Sequence, residues 1–581
     1  MVQGILPFKP PQVVHNHEGG VFQCPLFQQL PAPLMFQCEQ ENYLFDYLHL
    51  LPVETMGIPQ YYNDLTPAMG KIEHPNLIYP TDGGLFVHIY SDGQDSRNYY
   101  IAVEPSFSED VDVLMDAIEE RLLGFVNEME AVDSKEERTK ALLRSVDQIL
   151  EVEKDGVPAG TQMTSGLSLI TRIGRRKRLR VTSKQYGAIR YLIIREKNGL
   201  GNLEPMIRDS FIEDISCSGL GHIFIEHKIF GSLKSSTVFS SFEDLDRFVI
   251  RISERVGRPA SFRQPVVDAT LPDGSRLNIV FGSDIARRGS NFTIRKFTDT
   301  PLSILDLVEY GTLSYEIASY LSLVIGEGLN LFVAGETASG KTTLLNALTT
   351  FTPPNHKVIS IEDTPELQVP NPNWIQEVIR GGSLDNPEST VTMFTLLKAA
   401  LRQRPNQILI GEIRGEEGNI AFQAMQSGHA SMATFHAASV EKLIQRLTGH
   451  PINVPKASVD NLNVVVITSA MRLPNGRQGR RVTSVNEILG YDASSSTYSF
   501  LEIFRWNAET DRFEFTGDLS SHILEEMVAL RRGISPNDRQ LVYAELKRRA
   551  NMLSTLHQQG VTDFYELYRT LSQAYVGGIF R

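Results

Sequence analysis

The stretch GETASGKTT at residues 335–343 constrains the fold of this 581-residue chain more than any other part of its sequence. Its spacing is that of a phosphate-binding loop, in which two glycines let backbone N–H groups turn inward. The apolar run LNLFVAG (329–335) comes before it and predicts a buried strand. TTLLNALTT (342–350) follows, with leucines at helical spacing. Strand, loop and helix in this order predict an α/β nucleotide-binding domain, with the phosphate at the helix N-terminus.

The whole loop is a candidate nucleotide-binding site. Lys341 supplies a point charge for the β- and γ-phosphates of ATP, and Thr342 supplies an oxygen for Mg²⁺. The candidate nucleotide-binding residues are Gly335, Glu336, Thr337, Ala338, Ser339, Gly340, Lys341, Thr342 and Thr343.

The segment KVISIEDTPEL (357–367) is an apolar strand that ends in acids. In parallel α/β sheets, ligands lie beyond the carboxyl ends of the strands. A carboxylate in that place can position water or a metal ion. Glu362 is therefore a candidate catalytic residue, with Asp363 beside it and Glu366 as the alternative.

The segment PNQILIGEIRGEEG (405–418) repeats this pattern, since an apolar strand again ends in an acid. Glu412 stands at the Walker B position, which handles Mg²⁺ and its water ligands. We therefore take Glu412 as a candidate catalytic residue and, with Thr342, as a candidate metal ligand. Arg414 follows two residues later.

Two histidines lie in the small-residue segment SGHASMATFHAAS (427–439), which comes after the Walker B strand. A lone histidine is more often structural than catalytic, but two histidines in such a loop favour a functional site. Either His429 or His436 is a candidate sensor of the γ-phosphate, and His436 is the one that we assign as catalytic.

The composition is that of an ordinary globular protein, with 41% hydrophobic and 22% charged residues. A net charge of −13 argues against general binding of nucleic acid. Cys24, Cys38 and Cys217 are too few and too scattered for a disulfide framework or a four-thiolate zinc site, which fits a reducing cytoplasm. Because there is no apolar run of 18 residues and no signal peptide, we expect a soluble cytoplasmic protein.

Charge is unevenly distributed in the N-terminal part. LFVHIY (85–90) and YYIAVE (99–104) predict a hairpin, and helical spacing follows over 106–130. Residues 104–138 carry 12 acidic and 3 basic side chains, which form either a solvated helical face or a contact surface for a basic partner. RIGRRKRLR (172–180) holds six basic residues and is either an exposed linker or a contact for anionic lipid, nucleic acid or an acidic partner.

The remaining patterns predict four regions along the chain. Strands and turns over 212–227, 262–282 and 290–297, with an amphipathic helix over 242–258, predict an α+β middle domain. Two helices over 303–328 lead into the nucleotide-binding strand. The predicted regions are an N-terminal region with a hairpin and acidic helices (1–170), the middle domain (171–300), the ATPase domain (301–517) and a helical tail (518–581).

Four segments together resemble one known family. GETASGKTT, ISIEDTPEL, ILIGEIRGEEG and GHASMATFHAAS match, in order and spacing, the Walker A, Asp, Walker B and His boxes of the secretion ATPase superfamily. These are the hexameric motors of type II and type IV secretion, type IV pili and archaella. The resemblance covers about 180–510, and IEDISCSG with VVDATLPDGSRLNI resembles the archaeal branch. The chain lacks the four-cysteine zinc insert of bacterial type II members, and LIYPTDGGLFVHIY resembles the archaellum motor ATPase of euryarchaea.

The resemblance implies a RecA-like ATPase domain and assigns roles to further residues. Glu362 best matches the catalytic glutamate that orients the attacking water. Arg276 in DGSR and Arg295 in TIRKF match the arginines that reach the phosphates from the middle domain, and Arg263 is a weaker match. A guanidinium can meet the charge that builds on the γ-phosphate oxygens with two parallel donors.

The resemblance also implies a function and partners. It describes a cytoplasmic, homohexameric, Mg²⁺-dependent ATPase that lies at the inner face of the cell membrane, works on a polytopic membrane platform protein, and contacts anionic lipid. An archaellum is the favoured machine, and an archaeal type IV pilus or type II-like secretion system is the alternative. More distant alternatives are a nucleic-acid translocase and a module in which nucleotide acts only as a switch; we expect no nucleic acid.

Overall fold

The computed structural model describes residues 5–11, 24–93, 95–105, 111–125, 135–152, 178–297, 300–380, 390–474, 478–494 and 497–578. The chain forms two compact units, Met1–Phe297 and Thr298–Arg581. Both ends of the predicted acidic helix (106–110 and 126–130) and most of the basic run (172–177) lie outside the described residues. The division into four regions stays a prediction.

The first unit contains a helical layer, α1 to α3, for which the sequence showed no clear periodicity. Leu34, Leu44 and Phe45 of this layer pack into one buried cluster with Ile78 and Phe86 of the adjacent strands. The helices of the unit are α1 (Ala32–Gln40), α2 (Asn42–Leu48), α3 (Val53–Met56), α4 (Val111–Leu122), α5 (Lys135–Ile149), α6 (Ser183–Lys197), α7 (Glu204–Arg208) and α8 (Phe242–Arg255).

A ten-stranded sheet unites the described strands of the predicted N-terminal hairpin with those of the predicted middle domain. Its order is β1-β2-β3-β4-β9-β8-β7-β12-β11-β10, while β5 and β6 form a separate pair. The strands are β1 (Gln60–Tyr61), β2 (Asn76–Thr81), β3 (Leu85–Tyr90), β4 (Tyr99–Val103), β5 (Leu150–Val152), β6 (Leu179–Val181), β7 (Ile212–Cys217), β8 (Gly221–His227), β9 (Gly231–Phe239), β10 (Val266–Thr270), β11 (Arg276–Val280) and β12 (Asn291–Arg295). The predicted hairpins β3–β4 and β10–β11 are both antiparallel, as expected.

The second unit is the predicted α/β domain, built on a nine-stranded sheet of order β15-β14-β16-β17-β13-β18-β19-β20-β21. The strands are β13 (Leu331–Gly335), β14 (Val358–Glu362), β15 (Trp374–Val378), β16 (Gln407–Ile413), β17 (Ala430–Phe435), β18 (Val464–Arg472), β19 (Gln478–Asp492), β20 (Thr497–Asn507) and β21 (Arg512–Phe515). The first six strands in this order run parallel. Their carboxyl ends therefore share one edge of the sheet, which we call the P-loop edge.

Helices cover both faces of this sheet and include the predicted C-terminal tail. They are α9 (Ile304–Glu309), α10 (Tyr315–Gly326), α11 (Lys341–Leu348), α12 (Met393–Arg402), α13 (Glu417–Gln426), α14 (Val440–Thr448), a π-helix (Ile523–Val528), α15 (Ala529–Arg531), α16 (Leu541–Gln558) and α17 (Phe564–Val576). The Ser319 hydroxyl of α10 donates to the Leu546 carbonyl of α16 at 2.7 Å. The tail is thus part of the core of this unit. Among the described residues, no helix is both long enough and apolar enough to span a membrane.

Candidate functional site

The loop after β13 has the backbone shape that its glycines predicted. Gly340 has a φ of 88°, which a side chain would strain, and Ala338 also has a positive φ of 61°. A Cβ at Gly335 would lie 2.3 Å from the Thr468 carbonyl oxygen and 2.4 Å from the Ser339 hydroxyl. Both glycines are therefore needed for the loop to turn from β13 into α11.

Two residues that the sequence reasoning missed hold this loop in place. The hydroxyls of Ser339 and Thr468 lie 3.0 Å apart, and Thr468 also donates to the Ala334 carbonyl at 3.2 Å. Arg480 donates from Nε to the Ala338 carbonyl at 3.0 Å. Thr468 lies on β18 and Arg480 on β19, more than 120 positions along the chain from the loop. No local signal in the sequence connects them to it.

Lys341 lies at the first position of α11, where the helix N-terminus faces the loop. Its ammonium group donates to the Glu336 carbonyl at 2.8 Å. Burial lowers the pKa of Lys341, the Glu412 carboxylate raises it, and the Arg414 guanidinium lowers it again. The lysine, the Walker B acid and this arginine therefore share one electrostatic environment at the P-loop edge.

Glu412 reaches the P-loop edge from the end of β16 in an open setting. Its side chain is 24% exposed, and its Oε2 lies 2.5 Å from an Nη atom of Arg414. The other Nη atom of Arg414 lies 3.4 Å from the Asp363 carboxylate, which follows β14. The Glu417 carboxylate accepts the N–H groups of Arg414 and Gly415, each at 2.6 Å, and so fixes the turn after β16.

Glu362, at the end of the neighbouring strand β14, is buried and held by hydrogen bonds. Only 1% of it is exposed, and its Oε2 accepts the N–H groups of Glu366 at 2.6 Å and Leu367 at 2.7 Å. Its Oε1 accepts a hydrogen bond from the Gln376 amide at 3.0 Å. Burial raises the pKa of Glu362, although these three donors act in the opposite direction.

The two histidines lie at opposite ends of β17. His436 follows the strand, and its Nε2 is 2.7 Å from the Thr337 hydroxyl of the loop. His429 precedes the strand and lies 3.1 Å from the Ser427 hydroxyl. The histidines are seven positions apart on nearly extended chain, which separates them by about 23 Å. Of the two alternatives, only His436 is placed at the P-loop edge.

A shallow depression opens beside His436. Its volume is about 490 Å³, and its lining combines the start of the loop with residues before and within α14. Arg446 of α14 donates to the His436 carbonyl, and its guanidinium lies 5.2 Å from the centre of the Phe435 ring. The lining residues are Glu336, Thr337, His436, Ala437, Ala438, Lys442 and Arg446.

The donor set at this edge fits a magnesium ion that is bound together with a nucleotide. Among the described residues, there is no cluster of three or more His, Cys, Asp or Glu side chains able to form a complete metal cage. Mg²⁺ in nucleotide sites takes only one or two protein oxygens and receives its remaining ligands from phosphates and water. Thr342, half-buried in the first turn of α11, and Glu412 are hard oxygen donors of that kind.

The candidate arginines belong to the first unit, where two of them are cross-strand neighbours. Arg276 of β11 and Arg295 of β12 are directly paired in register, as are Arg295 and Asp214 of β7. Arg276 also lies 2.8 Å from the Asp268 carboxylate, and Arg295 lies 3.2 Å from Asp214. Like charges directly opposite each other destabilise a sheet. In this sheet, the carboxylates of Asp268 and Asp214 offset the repulsion between the two arginines.

Arg263, the weaker candidate, is exposed on the segment before β10. Arg263 is not paired with either of the other two arginines, because it lies before β10, which begins three residues later at Val266. The first unit thus brings together Arg276 and Arg295 and leaves Arg263 outside their pair.

Comparison with known proteins fits this arrangement. Residues 196–473 match the family model described as type II/IV secretion system protein. The uncharacterized protein MJ0900 of Methanocaldococcus jannaschii is 38% identical over 556 residues, which cover 94% of this chain and 98% of that protein. The chain belongs to the type II/IV secretion ATPase superfamily.

More distant members of this superfamily match the chain in part. The type IV secretion system protein PtlH of Bordetella pertussis is 32% identical over 258 residues, which cover 38% of this chain and 74% of PtlH. The X-ray structure of the Legionella pneumophila ATPase DotB superposes with a TM-score of 0.37 at 16% identity, covering 64% of this chain and 92% of DotB. The P-loop edge lies within the part of the chain that the family model covers.

Proposed function

We propose that this secretion-family ATPase hydrolyses ATP with Mg²⁺ as a homohexameric motor. The observation that carries this proposal is the convergence of three groups on one sheet edge: the phosphate-binding loop, the open carboxylate of Glu412, and His436 against the loop. The two strands that end in acids argue against a module in which nucleotide is only a switch, because hydrolysis needs groups that order both metal and water.

Each residue at the edge has a role in this proposal. The loop and Lys341 hold the β- and γ-phosphates, while Thr342 and Glu412 hold the metal ion, which supplies charge neutralisation at the phosphates. Glu362 is the candidate base for the attacking water, because its raised pKa brings it nearer to the working pH. His436 senses the γ-phosphate through its contact with the loop.

The decisive first experiment is ATP hydrolysis by the purified chain with Mg²⁺. We expect steady turnover in the wild type, with loss of hydrolysis and weaker ATP binding in Lys341→Ala, because the main point charge for the phosphates is lost. Lys398→Ala is the matched control, since the ammonium of Lys398 lies over the Phe394 ring and outside the loop. Turnover in Lys341→Ala that equals the wild type would refute the site.

We further propose that Arg276 and Arg295 complete the site of a neighbouring subunit. An arginine finger contributes about 10³–10⁵ in rate. Arg276→Ala and Lys341→Ala should each be inactive alone, yet mixed hexamers should regain activity, because the second variant lends its arginine to the intact loop of the first. Arg247→Ala is the control, since Arg247 pairs on α8 with Glu243 and is 68% exposed.

Mixed hexamers are verified by pull-down through two different tags. If they form and stay inactive, a role of Arg276 across the subunit boundary is excluded, provided that one inactive subunit does not stall the ring. A dilution series of wild type into Lys341→Ala measures such stalling. The same pair of tests then applies to Arg295.

The machine that we favour is an archaellum-type filament, driven through a polytopic membrane platform protein by a motor at the inner face of the cell membrane. The full-length relative comes from an archaeon, which supports the archaeal branch. An archaeal type IV pilus or type II-like secretion system is the alternative. In the source organism, chromosomal Lys341→Ala should abolish archaella in electron micrographs and leave pili intact; the reverse outcome would favour the pilus.

A nucleic-acid translocase is the more distant alternative. It is tested by adding anionic lipid vesicles or single-stranded DNA to the ATPase assay. We expect stimulation by vesicles and none by DNA, and stimulation by DNA alone would overturn the motor assignment.

A further inference from the structure

The Arg414 side chain contacts acids at the ends of two neighbouring strands of the P-loop edge. Its guanidinium lies 2.5 Å from Glu412, near the end of β16, and 3.4 Å from Asp363, directly after β14. Glu366 is a third carboxylate that acts on the charge of this arginine. The Arg414 guanidinium thus faces several acids at the place where the proposed function needs a metal ion.

The backbone of Arg414 is held by hydrogen bonds, while its side chain is exposed to solvent. The Glu417 carboxylate holds the N–H groups of Arg414 and Gly415 at 2.6 Å each. The Arg414 side chain is nevertheless 59% exposed, so water can replace its contacts at little cost. A firmly placed backbone with an exposed guanidinium allows the charge to leave the acids without disturbing the turn.

A guanidinium and a magnesium ion compete for the same carboxylate oxygen. Mg²⁺ binds oxygen at about 2.0–2.1 Å in strict octahedral geometry. With the guanidinium 2.5 Å from one Glu412 oxygen, repulsion between the two cations weakens metal binding at this carboxylate. Metal binding at Glu412 is therefore stronger when Arg414 moves away.

We propose that Arg414 takes the place of the metal ion and neutralises Glu412 until nucleotide and metal bind together. This inference rests on the proposed function, in which Glu412 serves the metal ion. Phosphate oxygens supply the ligands that the acids alone lack, so the metal displaces Arg414 only when nucleotide is bound. Arg414 is thus a positioning residue that makes metal binding conditional on nucleotide.

The first test measures binding of Mn²⁺ alone by electron paramagnetic resonance. We expect Arg414→Gln to bind Mn²⁺ about tenfold more tightly than the wild type, the size expected for one unit charge a few ångströms away at an exposed site. The gain should vanish in Arg414→Gln/Glu412→Gln. Arg414→Lys should fall in between, since it keeps a charge without the planar fork.

Arg505→Gln is the matched control. Arg505 is 60% exposed and lies 2.5 Å from Glu502 on β20, so its pair closely resembles that of Arg414 and Glu412 without lying at the loop. An equal gain of Mn²⁺ affinity in this control, or no gain in Arg414→Gln, would overturn the proposal. Thermal unfolding of every variant establishes that it is folded.

The second test measures ADP affinity with EDTA and with Mg²⁺. Without metal, loss of Arg414 leaves bare carboxylates near the phosphates, so ADP binding should weaken; with Mg²⁺ it should strengthen. The dissociation constant of ADP measured with EDTA, divided by the one measured with Mg²⁺, should rise about tenfold or more in Arg414→Gln. A purely structural role would move both constants in the same direction and leave the ratio unchanged.

Different outcomes would refute the proposed function and the role of Arg414. If the wild type binds no nucleotide and hydrolyses no ATP, the proposed function fails. If the wild type binds and hydrolyses ATP, but Arg414→Gln alters neither Mn²⁺ affinity nor the ratio of ADP affinities, only the role of Arg414 fails.

Discussion

The neighbouring strands β14 and β16 both end in a glutamate at the same sheet edge, yet the two ends differ. Glu362 is 1% exposed and accepts three hydrogen bonds from its own loop and from β15. Glu412 is 24% exposed in its side chain and contacts an exposed cation, Arg414. The surroundings of Glu362 fix its side chain and raise its pKa. The Glu412 carboxylate is open enough to exchange ligands.

An acid after a buried strand can therefore be either part of the folded core or an accessible ligand. A buried carboxylate with three donors cannot be replaced without leaving a donor unsatisfied, whereas an exposed ion pair contributes little to stability. Substitutions at the two ends should therefore separate loss of chemistry from loss of folding.

The largest effect is expected for Glu362→Gln. As the candidate base, its loss should lower kcat by about 10²–10⁴-fold. The new amide also places a donor where donors already point, which should cost about 1–3 kcal/mol of unfolding free energy. Turnover and urea unfolding of the same preparation measure both effects.

Glu487→Gln is the control for that prediction. Glu487 is also fully buried and accepts hydrogen bonds from Tyr320 and Ser521, but it pairs in register with Val464, at the opposite sheet edge from the loop. We expect a similar loss of stability with kcat within tenfold of the wild type. If Glu362→Gln keeps its normal kcat, Glu362 is structural, and Glu366→Gln is tested as the base.

Glu412→Gln should have the next largest effect, and on chemistry alone. Its kcat should fall by about 10²–10³-fold, the size found when one preorganised electrostatic group is lost. Its ATP affinity should be retained, and its unfolding free energy should change by less than about 1 kcal/mol, because only an exposed ion pair is lost. A large loss of stability in Glu412→Gln would contradict the difference that we describe between Glu362 and Glu412.

Gln376→Ala should have a smaller effect, because it removes one donor to Glu362 from β15 and leaves the two backbone donors. We expect a loss of about 1 kcal/mol in unfolding free energy. The acid limb of the kcat–pH profile should move to higher pH, since a donor that stabilises the carboxylate is gone. A shift to lower pH would contradict this account of Glu362.

The smallest effect concerns the pH dependence of stability. The pKa of Glu362 is raised by burial in the folded chain, so the fold favours the protonated form. Its contribution is fully present below its unfolded pKa of about 4.5 and is lost as pH rises through the folded pKa. Glu362→Gln should therefore flatten the fall of stability above about pH 4.5. Glu412→Gln, measured by the same thermal scans, should leave that slope unchanged.

Much of the fold could be read from periodicity and turn chemistry, because those signals are local. The strand, loop and helix around GETASGKTT, the β10–β11 hairpin and the two helices before β13 are all present as predicted. The helical layer α1 to α3 was missed, because its short helices bury residues without a regular spacing. The joining of the N-terminal strands to the sheet of the middle part was also missed, because pairing between β4 and β9 joins residues more than 130 positions apart.

By itself, the sequence determined the residue types of the site: a loop that only glycine permits, a lysine at a helix start, and acids and histidines after apolar strands. The tertiary structure was needed to place His436, and not His429, at the P-loop edge, to bury Glu362 among its donors, and to bring Arg414 between Glu412 and Asp363. The reason is physical. Glycine conformation and helix starts depend on a few adjacent residues, whereas exposure and charge pairing depend on which strands become neighbours, and that is fixed by packing of the whole sheet.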